Sequence, residues 1–227
     1  MRVSLVTVGD ELLAGDTVNT NAAWLGRRLA KCGVSVERVT VIPDRIPDIA
    51  GEVDDQRANF DAVIVTGGLG PTHDDRTMEA VAAAFGSELA ENERVYDWLE
   101  TAGYAADDLA PGTAALPDGA EPLRNPEGVA PGCVIGNVYV LPGVPDEMQA
   151  MFDEVAEDFS GQPQYVRTVT VDEPESALVE DLVELEERFG VTVGSYPGDE
   201  VEVKISGPAE AAVAAAEDWL RQRVGAR

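Results

Sequence analysis

Apolar and polar segments alternate along the first half of the chain in a way that predicts strands and helices in turn. The strand-like runs are "RVSLVTVGD", "VSVERVTVIPD" and "DAVIVT". The segments with helical spacing are "NAAWLGRRLAKCG", "IPDIAGEVDDQRAN" and "RTMEAVAAAF", and a loop, "ELLAGDTVNT", precedes the first of them. Because each strand is nearly all apolar and is followed by a helix, we predict an α/β fold with a mostly parallel sheet covered on both faces.

The second half of the chain adds a hairpin and then a separate small module. A helix is predicted over residues 91–103, a hairpin around Gly136 from "GCVIG" and "NVYVLPG", and a helix entered through Pro145. After "SGQPQ" the predicted order is strand, helix, strand, strand, helix. We therefore predict two domains, residues 1–160 and a small α+β, KH-like module over residues 161–227. That module has neither a Gly-x-x-Gly loop nor basic flanks, which argues against a nucleic-acid site and favours scaffolding or dimerisation.

The stretch "TGGLGPTHDD" joins the third predicted strand to the next helix. Its glycines, Gly67, Gly68 and Gly70, permit positive φ and close backbone approach, so that successive N–H groups point at one anion. The N-terminus of the following helix adds a partial positive charge. These features predict a phosphate site.

Two adjacent carboxylates, Asp74 and Asp75, stand in the same loop. One of them is explained by capping of the helix that follows. The second would repel a phosphate unless a divalent cation lay between them, and Mg²⁺ or Mn²⁺ binds one or two carboxylates together with substrate phosphates. The pair therefore predicts a metal-assisted phosphate site.

Other polar residues follow the predicted strands, at the edge of the sheet where ligands bind. Asp10, Glu11 and Asp44 are either solvated turn residues or carboxylates that complete the metal site or orient a water. Asn21, with its neighbours Asn19 and Thr20, either caps the first helix or bonds a ribose or base. His73 is the only histidine and is either a solvated turn residue or a residue with a ligand or acid–base role.

Composition and charge indicate the salt conditions and the cell compartment in which the protein works. The net charge is −27, with 43 acidic and 16 basic residues, of which only Lys31 and Lys204 are lysines. This balance is typical of a halophilic protein and disfavours binding to nucleic acid or anionic membranes. The two cysteines, Cys32 and Cys133, have no ligand-like spacing, and no apolar run approaches the ~20 residues that span a bilayer. We expect a cytoplasmic protein with reduced thiols.

Four ordered motifs resemble the N-terminal region of CinA, the competence/damage-inducible protein family, which is related to the molybdopterin-binding domains of molybdenum-cofactor biosynthesis. They are "VGDELLAGDTVNTNAAWLGRRLAKCG", "TGGLGPTHDDRTMEAVAAAFG", "LPDGAEPLRNPEGVAPG" and "LPGVPDEM". The resemblance implies a three-layer α/β fold, a homodimer, and a pyrophosphatase that needs Mg²⁺, Mn²⁺ or Co²⁺ and cleaves ADP-ribose or FAD. Bacterial members also carry a nicotinamide mononucleotide deamidase domain, for which 227 residues leave no room, so we expect no deamidase activity.

The resemblance also implies roles for individual residues. By their match to the motifs, the implied phosphate contacts are Gly67, Gly68, Gly70 and Thr72, and the implied metal ligands are Asp74 and Asp75. These two aspartates are also implied to be catalytic, together with Asp10 and Glu11. The further substrate contacts that the resemblance implies are Asn21, Asn125 and Glu147. The leading hypothesis is metal-dependent hydrolysis of a diphosphate. The alternatives are adenylylation of molybdopterin with the same loop and metal, and a nucleotide- or pterin-binding module without catalysis.

Overall fold

The computed structural model describes residues 1–70, 72, 75–105 and 109–224. The chain forms two compact units, Met1–Gly161 and Gln162–Arg227. Their boundary lies one residue from the one predicted from the sequence. His73 and Asp74 lie outside the described residues.

A six-stranded sheet forms the centre of the first unit, in the order β2-β1-β3-β8-β7-β6. Its strands are β1 (Arg2–Val8), β2 (Ser35–Ile42), β3 (Ala62–Gly67), β6 (Glu121–Leu123), β7 (Gly132–Ile135) and β8 (Val138–Pro142). The pairs β1–β2, β1–β3 and β3–β8 are parallel, whereas β8–β7 and β7–β6 are antiparallel. Two further short strands, β4 (Leu89–Glu91) and β5 (Ala115–Pro117), pair with each other.

Helices cover both faces of this sheet. They are α1 (Asp10–Ala14), α2 (Thr20–Lys31), α3 (Ile46–Asn59), α4 (Thr77–Ala84), α5 (Glu93–Thr101) and α6 (Pro145–Val155). One core cluster contains buried side chains of α3, α4 and α5, and the other contains those of α2 and α6. The predicted three-layer, mostly parallel α/β fold is therefore confirmed.

Burial on both faces explains why the central strands are apolar throughout. In β1, Val6 and Val8 belong to one core cluster, and Val3 and Leu5 belong to the other. The same alternation recurs in β3 and β8. A parallel strand covered by helices on both sides has no solvent-facing positions, so it shows no period of two.

The predicted hairpin is present, and some short elements differ from the sequence prediction. Gly136, at φ 58°, begins the two-residue turn that joins β7 to β8. The segment predicted as a loop after β1 begins with the helix α1, in which the Asp10 N–H donates to the Asp44 carboxylate at 2.8 Å. Strands β4, β5 and β6 have three residues each, too few to show a periodic pattern.

The second unit is a three-stranded antiparallel sheet with two helices. Its elements are β9 (Tyr165–Val171), α7 (Glu175–Phe189), β10 (Thr192–Tyr196), β11 (Val201–Gly207) and α8 (Glu210–Val224), with strand order β10-β11-β9. The order of elements agrees with the sequence prediction. Alternate residues of β9 and β11 pack with both helices in one core. In the described parts of both units, no helix combines the length and apolar character that crossing a bilayer requires.

Candidate functional site

The candidate site lies where the four parallel strands end. The register pairs Val8 with Ile42 and Gly67 with Pro142, so the loops that follow β1, β2, β3 and β8 leave the sheet side by side. Between them is a cleft of about 660 Å³. Residues 127–130 and Tyr104 form its remaining wall. This is the position at which open α/β sheets bind ligands.

The glycines of the loop after β3 make room for side chains of the same loop and helix. A Cβ on Gly68 would collide with the Asp75 carboxylate, and one on Gly67 would collide with the Thr77 hydroxyl and lie 2.9 Å from Val8 Cβ. Neither of these glycines, nor Gly70, has a positive φ. The predicted close approach is present, but the prediction of positive φ is wrong. Glycine is required at these positions because a Cβ would collide with neighbouring atoms, and not because of the backbone φ angle.

Asp75 is hydrogen-bonded to Thr72 in the same loop. Its Oδ2 accepts from the Thr72 backbone N–H at 3.0 Å and from the Thr72 hydroxyl, and its own N–H donates to the Thr72 carbonyl. The N-cap position of α4 is Arg76, which makes no capping side-chain bond. The cap interpretation is therefore wrong for Asp75, while for Asp74 it lies outside the described residues.

The cleft is strongly acidic. Among the residues that the structure describes, five carboxylates line it: Glu11, Asp44, Asp75, Glu127 and Glu147. The side chain of Asp10 is not part of the lining, and this residue instead contributes its backbone N–H to Asp44. Glu11 folds back over Gly9, where a Cβ would lie 2.7 Å from its Oε2.

No three acidic, histidine or cysteine side chains in the described ranges are close enough together to form a complete protein-built metal site. A divalent cation held by one or two carboxylates and by substrate phosphates does not need such a cluster. The donor set is suited to it, since carboxylate oxygens are the ligands that Mg²⁺ and Mn²⁺ prefer. The predicted metal therefore fits the residues that line the cleft and stays a prediction.

The asparagines of the first family motif divide between two roles. Asn19 caps α2, since its side-chain oxygen accepts from the Ala22 N–H at 3.0 Å. Asn21 is 7% exposed and donates to the Gly143 carbonyl at 2.7 Å, which joins α2 to the loop after β8. Its Oδ1 is buried and has no hydrogen-bond partner among the described residues. That oxygen is an acceptor that a ligand hydroxyl or amine would satisfy.

Asn125 and Glu147, which come from different motifs, are in contact. The Asn125 amide donates to the Glu147 carboxylate at 2.7 Å and to the Ala130 carbonyl at 3.0 Å, and its oxygen accepts from the Glu127 N–H at 3.2 Å. Gly128 lies against this pair, and a Cβ there would be 2.6 Å from either side chain. The pair thus fixes the 124–131 loop at the side of the cleft.

Thr72 is exposed and lies outside the cleft, in a neighbouring cavity of about 180 Å³. Two polar side chains that sequence reasoning missed, those of Glu127 and Tyr104, do line the cleft. Glu127 is within the quoted motif "LRNPEGVAPG", so the motif signal was present although the residue was not selected. Tyr104 follows α5 in a segment without any motif, and only the fold brings it to the site.

Basic side chains are scarce at this edge of the sheet. Among the described residues that line the cleft and the cavities beside it, Arg124 is the only cation. In the cleft itself an anionic ligand meets five carboxylates and no cationic side chain of the described residues, since Arg124 lies in the adjoining cavity. Backbone N–H groups and a bound cation remain as the main means of attracting phosphate.

Similar proteins identify the family. Residues 4–164 match the family described as "Probable molybdopterin binding domain". A protein from Archaeoglobus fulgidus is 37% identical over 209 residues and covers 91% of both chains. A CinA-like protein from Myxococcus xanthus is 36% identical and covers all of this chain, which spans 60% of that protein's length.

A solved structure agrees with these relatives. The crystal structure of the CinA protein of unknown function from Thermoplasma acidophilum is 38% identical, with a TM-score of 0.64, and the match covers 70% of this chain and 97% of that one. The likeness extends over most of the first unit, which contains the cleft. The chain therefore belongs to the molybdopterin-binding domain family, and it is similar to the N-terminal region of the CinA-like proteins.

Proposed function

We propose that the cleft binds a phosphorylated ligand of the nucleotide or pterin type together with a divalent cation, and that water cleaves a diphosphate bond of that ligand. The observation that carries this proposal is the coexistence of the glycine loop with five carboxylates in one cleft. A phosphate fits the loop amides but not the carboxylates, and a cation fits the carboxylates. Both are accommodated when the ligand brings phosphate oxygens to the metal.

Each group of residues has a part in this reaction. Asp75, and Asp74 beside it in the sequence, are the proposed metal ligands. One oxygen of Asp75 braces Thr72, which leaves its Oδ1 for the cation. When bound, the metal supplies Lewis-acid polarisation of the phosphoryl oxygens. The loop N–H groups of Leu69 and Gly70 donate to no other described residue and take part of the developing negative charge.

The remaining carboxylates act on the water. Glu11 and Asp44 line the cleft from the ends of the neighbouring strands β1 and β2. The carboxylate of either residue can accept a proton from the attacking water. The water oxygen forms a bond to phosphorus, and the bridging P–O bond breaks. The proton passes to a cleft carboxylate and then to solvent, and two phosphomonoesters leave.

Adenylyl transfer is the second candidate, and the family description by itself favours it because that description names molybdopterin. In this reaction a phosphate oxygen of the pterin attacks the α-phosphorus of ATP, and pyrophosphate leaves. The glycine loop and the metal would have the same parts. The likeness to CinA-like proteins is what favours hydrolysis, since the resemblance implies cleavage of ADP-ribose or FAD.

One experiment separates these reactions. Purified protein is incubated with ADP-ribose, with FAD, or with molybdopterin and ATP, each with Mg²⁺, Mn²⁺ or Co²⁺ and at low and molar KCl, and the products are separated by chromatography. Hydrolysis predicts monophosphates from ADP-ribose or FAD in the presence of metal only. Adenylylated pterin and pyrophosphate would support transfer instead. Tight binding of a ligand without turnover of any would support a binding module, and full hydrolysis in excess chelator would contradict the metal.

A further inference from the structure

A second cavity adjoins the cleft and has a different chemical character. It measures about 190 Å³ and lies between α5 and the 124–131 loop. Val95 and Leu99, both buried, belong to its apolar wall, and Trp98 and Tyr104 add two aromatic rings. The cleft itself is lined by glycines, carboxylates and several aliphatic side chains, and Tyr104 is the one aromatic residue in its described lining. A ligand that occupies both would need a phosphorylated part and an aromatic part.

The cavity is continuous with the cleft. Tyr104, Glu127, Gly128 and Val129 line both of them. Gly128 lies at this junction against the Asn125 and Glu147 side chains, which fill the space that a Cβ would take. Because the two spaces share four lining residues, a group attached to a phosphate in the cleft can reach the cavity.

The polar groups around the cavity include one that only accepts and one that only donates hydrogen bonds. Glu127 offers a carboxylate, and Arg124 offers a guanidinium that is not ion-paired with any residue in the described part of the chain. The Asn125 side chain is already engaged with Glu147, Ala130 and Glu127. An acceptor beside a donor matches the edge of a nitrogen heterocycle, in which an exocyclic amino group adjoins a ring nitrogen or carbonyl.

A third cavity, which shares no lining residue with the second, lacks these features. It measures about 100 Å³, shares Val8, Glu11 and Gly143 with the cleft, and contains no aromatic residue. Its polar lining consists mainly of threonine and asparagine side chains, including the buried Asn21. Hydroxyl and amide groups suit a sugar better than an aromatic ring, so the two flanking cavities differ in what they would accept.

We propose that the cavity between α5 and the 124–131 loop is the subsite for a planar nitrogen heterocycle at one end of the ligand. The ring stacks against Trp98 or Tyr104, and Arg124 and Glu127 determine its specificity. This inference rests on the proposed function, because it assumes a phosphorylated ligand in the cleft. It also specifies the orientation of the ligand in the cleft. The heterocycle lies towards α5, and the sugar end of a compound such as ADP-ribose lies towards Asn21.

Binding of single-ended probes tests the subsite without any reaction. AMP, 6-carboxypterin and ribose 5-phosphate are titrated calorimetrically into the full chain with Mg²⁺. We expect at least one of the two heterocyclic probes to bind at least tenfold more tightly than ribose 5-phosphate, and the preferred one identifies the source of the ring. Equal dissociation constants for all three, or preference for ribose 5-phosphate, would overturn the proposal.

Variants place the binding in this cavity. Ala102→Trp, at a position that lines this cavity but not the cleft, should fill it and weaken the preferred heterocycle at least tenfold, while binding of ribose 5-phosphate stays within about twofold. Trp98→Phe should reduce the quenching of tryptophan fluorescence by that ligand, whereas Trp219→Phe, in the second unit, should retain it. If Ala102→Trp does not fold, Arg124→Gln at an exposed position decides, with the same expected loss. Unchanged affinity in the folded variants would contradict the subsite, whereas retained binding without hydrolysis of ADP-ribose would contradict only the proposed reaction.

Discussion

The Asn125 side-chain amide donates a 2.7 Å hydrogen bond to the Glu147 carboxylate and joins the 124–131 loop to the first turn of α6. Asn125→Asp would place two carboxylates at this distance and remove the donor to the Ala130 carbonyl. We expect a loss of about 1 to 3 kcal/mol in the free energy of unfolding, because a half-buried acceptor loses its partner and like charges repel. Chemical denaturation of parent and variant measures this difference.

Glu147→Gln is the matched control for that change. It keeps an oxygen that accepts from Asn125 but removes the charge, so we expect the stability to remain within about 0.5 kcal/mol of the parent. Equal destabilisation by both variants would show that the bond depends on charge rather than on donor geometry.

Asp75→Asn separates the two roles of this residue, bracing the loop and holding a cation. Asparagine keeps an oxygen that accepts from Thr72, so the melting temperature should stay close to that of the parent. Without the carboxylate charge, metal-dependent hydrolysis of ADP-ribose should fall by orders of magnitude. Thermal unfolding and product analysis are run on the same preparation.

Asp74→Asn tests the neighbouring residue in the same assay, and at least one of the two variants should abolish turnover. If both hydrolyse ADP-ribose at the parental rate with the same metal dependence, the metal ligands must be sought at Glu11 and Asp44.

Gly68→Ala would drive a methyl group into the Asp75 carboxylate. If the carboxylate turns away, it leaves its place in the cleft and loses its hydrogen bonds to Thr72. We expect turnover to fall at least tenfold, and the melting temperature to fall as well because these bonds are lost. Gly51→Ala, in α3, is the control: no atom lies within 4 Å of its Cβ, so it should leave activity intact and stabilise the protein by about 0.5 to 1 kcal/mol.

Salt should stabilise the folded protein. With a net charge of −27, repulsion among carboxylates favours expansion, and molar salt shortens the Debye length to about 3 Å. We expect the melting temperature to rise steadily as KCl increases from 0.1 M towards molar concentrations. A melting temperature that stays constant or falls over this range would contradict the halophilic interpretation.

The two cysteines should differ sharply in reactivity. Cys133 is fully buried, and burial raises its pKa to about 12, whereas Cys32 is only partly buried. At pH 8 a thiol reagent should modify Cys32 first and Cys133 only after unfolding. Since the Cys133 thiol ionises near its ordinary pKa when the chain is unfolded, the protein should also lose stability as the pH rises above about 9. Similar reaction rates for both thiols in native buffer would contradict this assignment.

The layered fold was predictable because the apolar strands and amphipathic helices are long segments with regular spacing of apolar residues. The α3 helix, with Pro47 in its first turn, has the predicted bounds, and Met148, Met151 and Phe152 are fully buried in α6 as their spacing predicts. Such segments depend on periodic burial, which sequence records directly. The α1 helix escaped prediction because it has five residues and no buried one, and its first N–H is held by the distant Asp44.

The site was predictable only where a motif contained its residues. Gly68 and Asp75 could be named from the sequence, but their mutual contact could not, so the reason for the glycines was misread. Tyr104 has no local signal at all. Its place at the cleft follows from the path of the chain after α5, which depends on tertiary packing.

The parallel pairing of β3 with β8 has a consequence for the order in which the protein forms. Val63 pairs with Val138, 75 residues further along the chain, whereas β1 and β2 are joined through α1 and α2, and β2 and β3 through α3 alone. Closing so long a segment costs entropy that is recovered only when both strands have docked. The cleft walls formed by the loops after β1, β2 and β3 can therefore assemble from local contacts, whereas the wall with Gly143 and Glu147 arrives later. Ligand affinity should then appear in the slowest phase of refolding, after most of the helical signal has recovered.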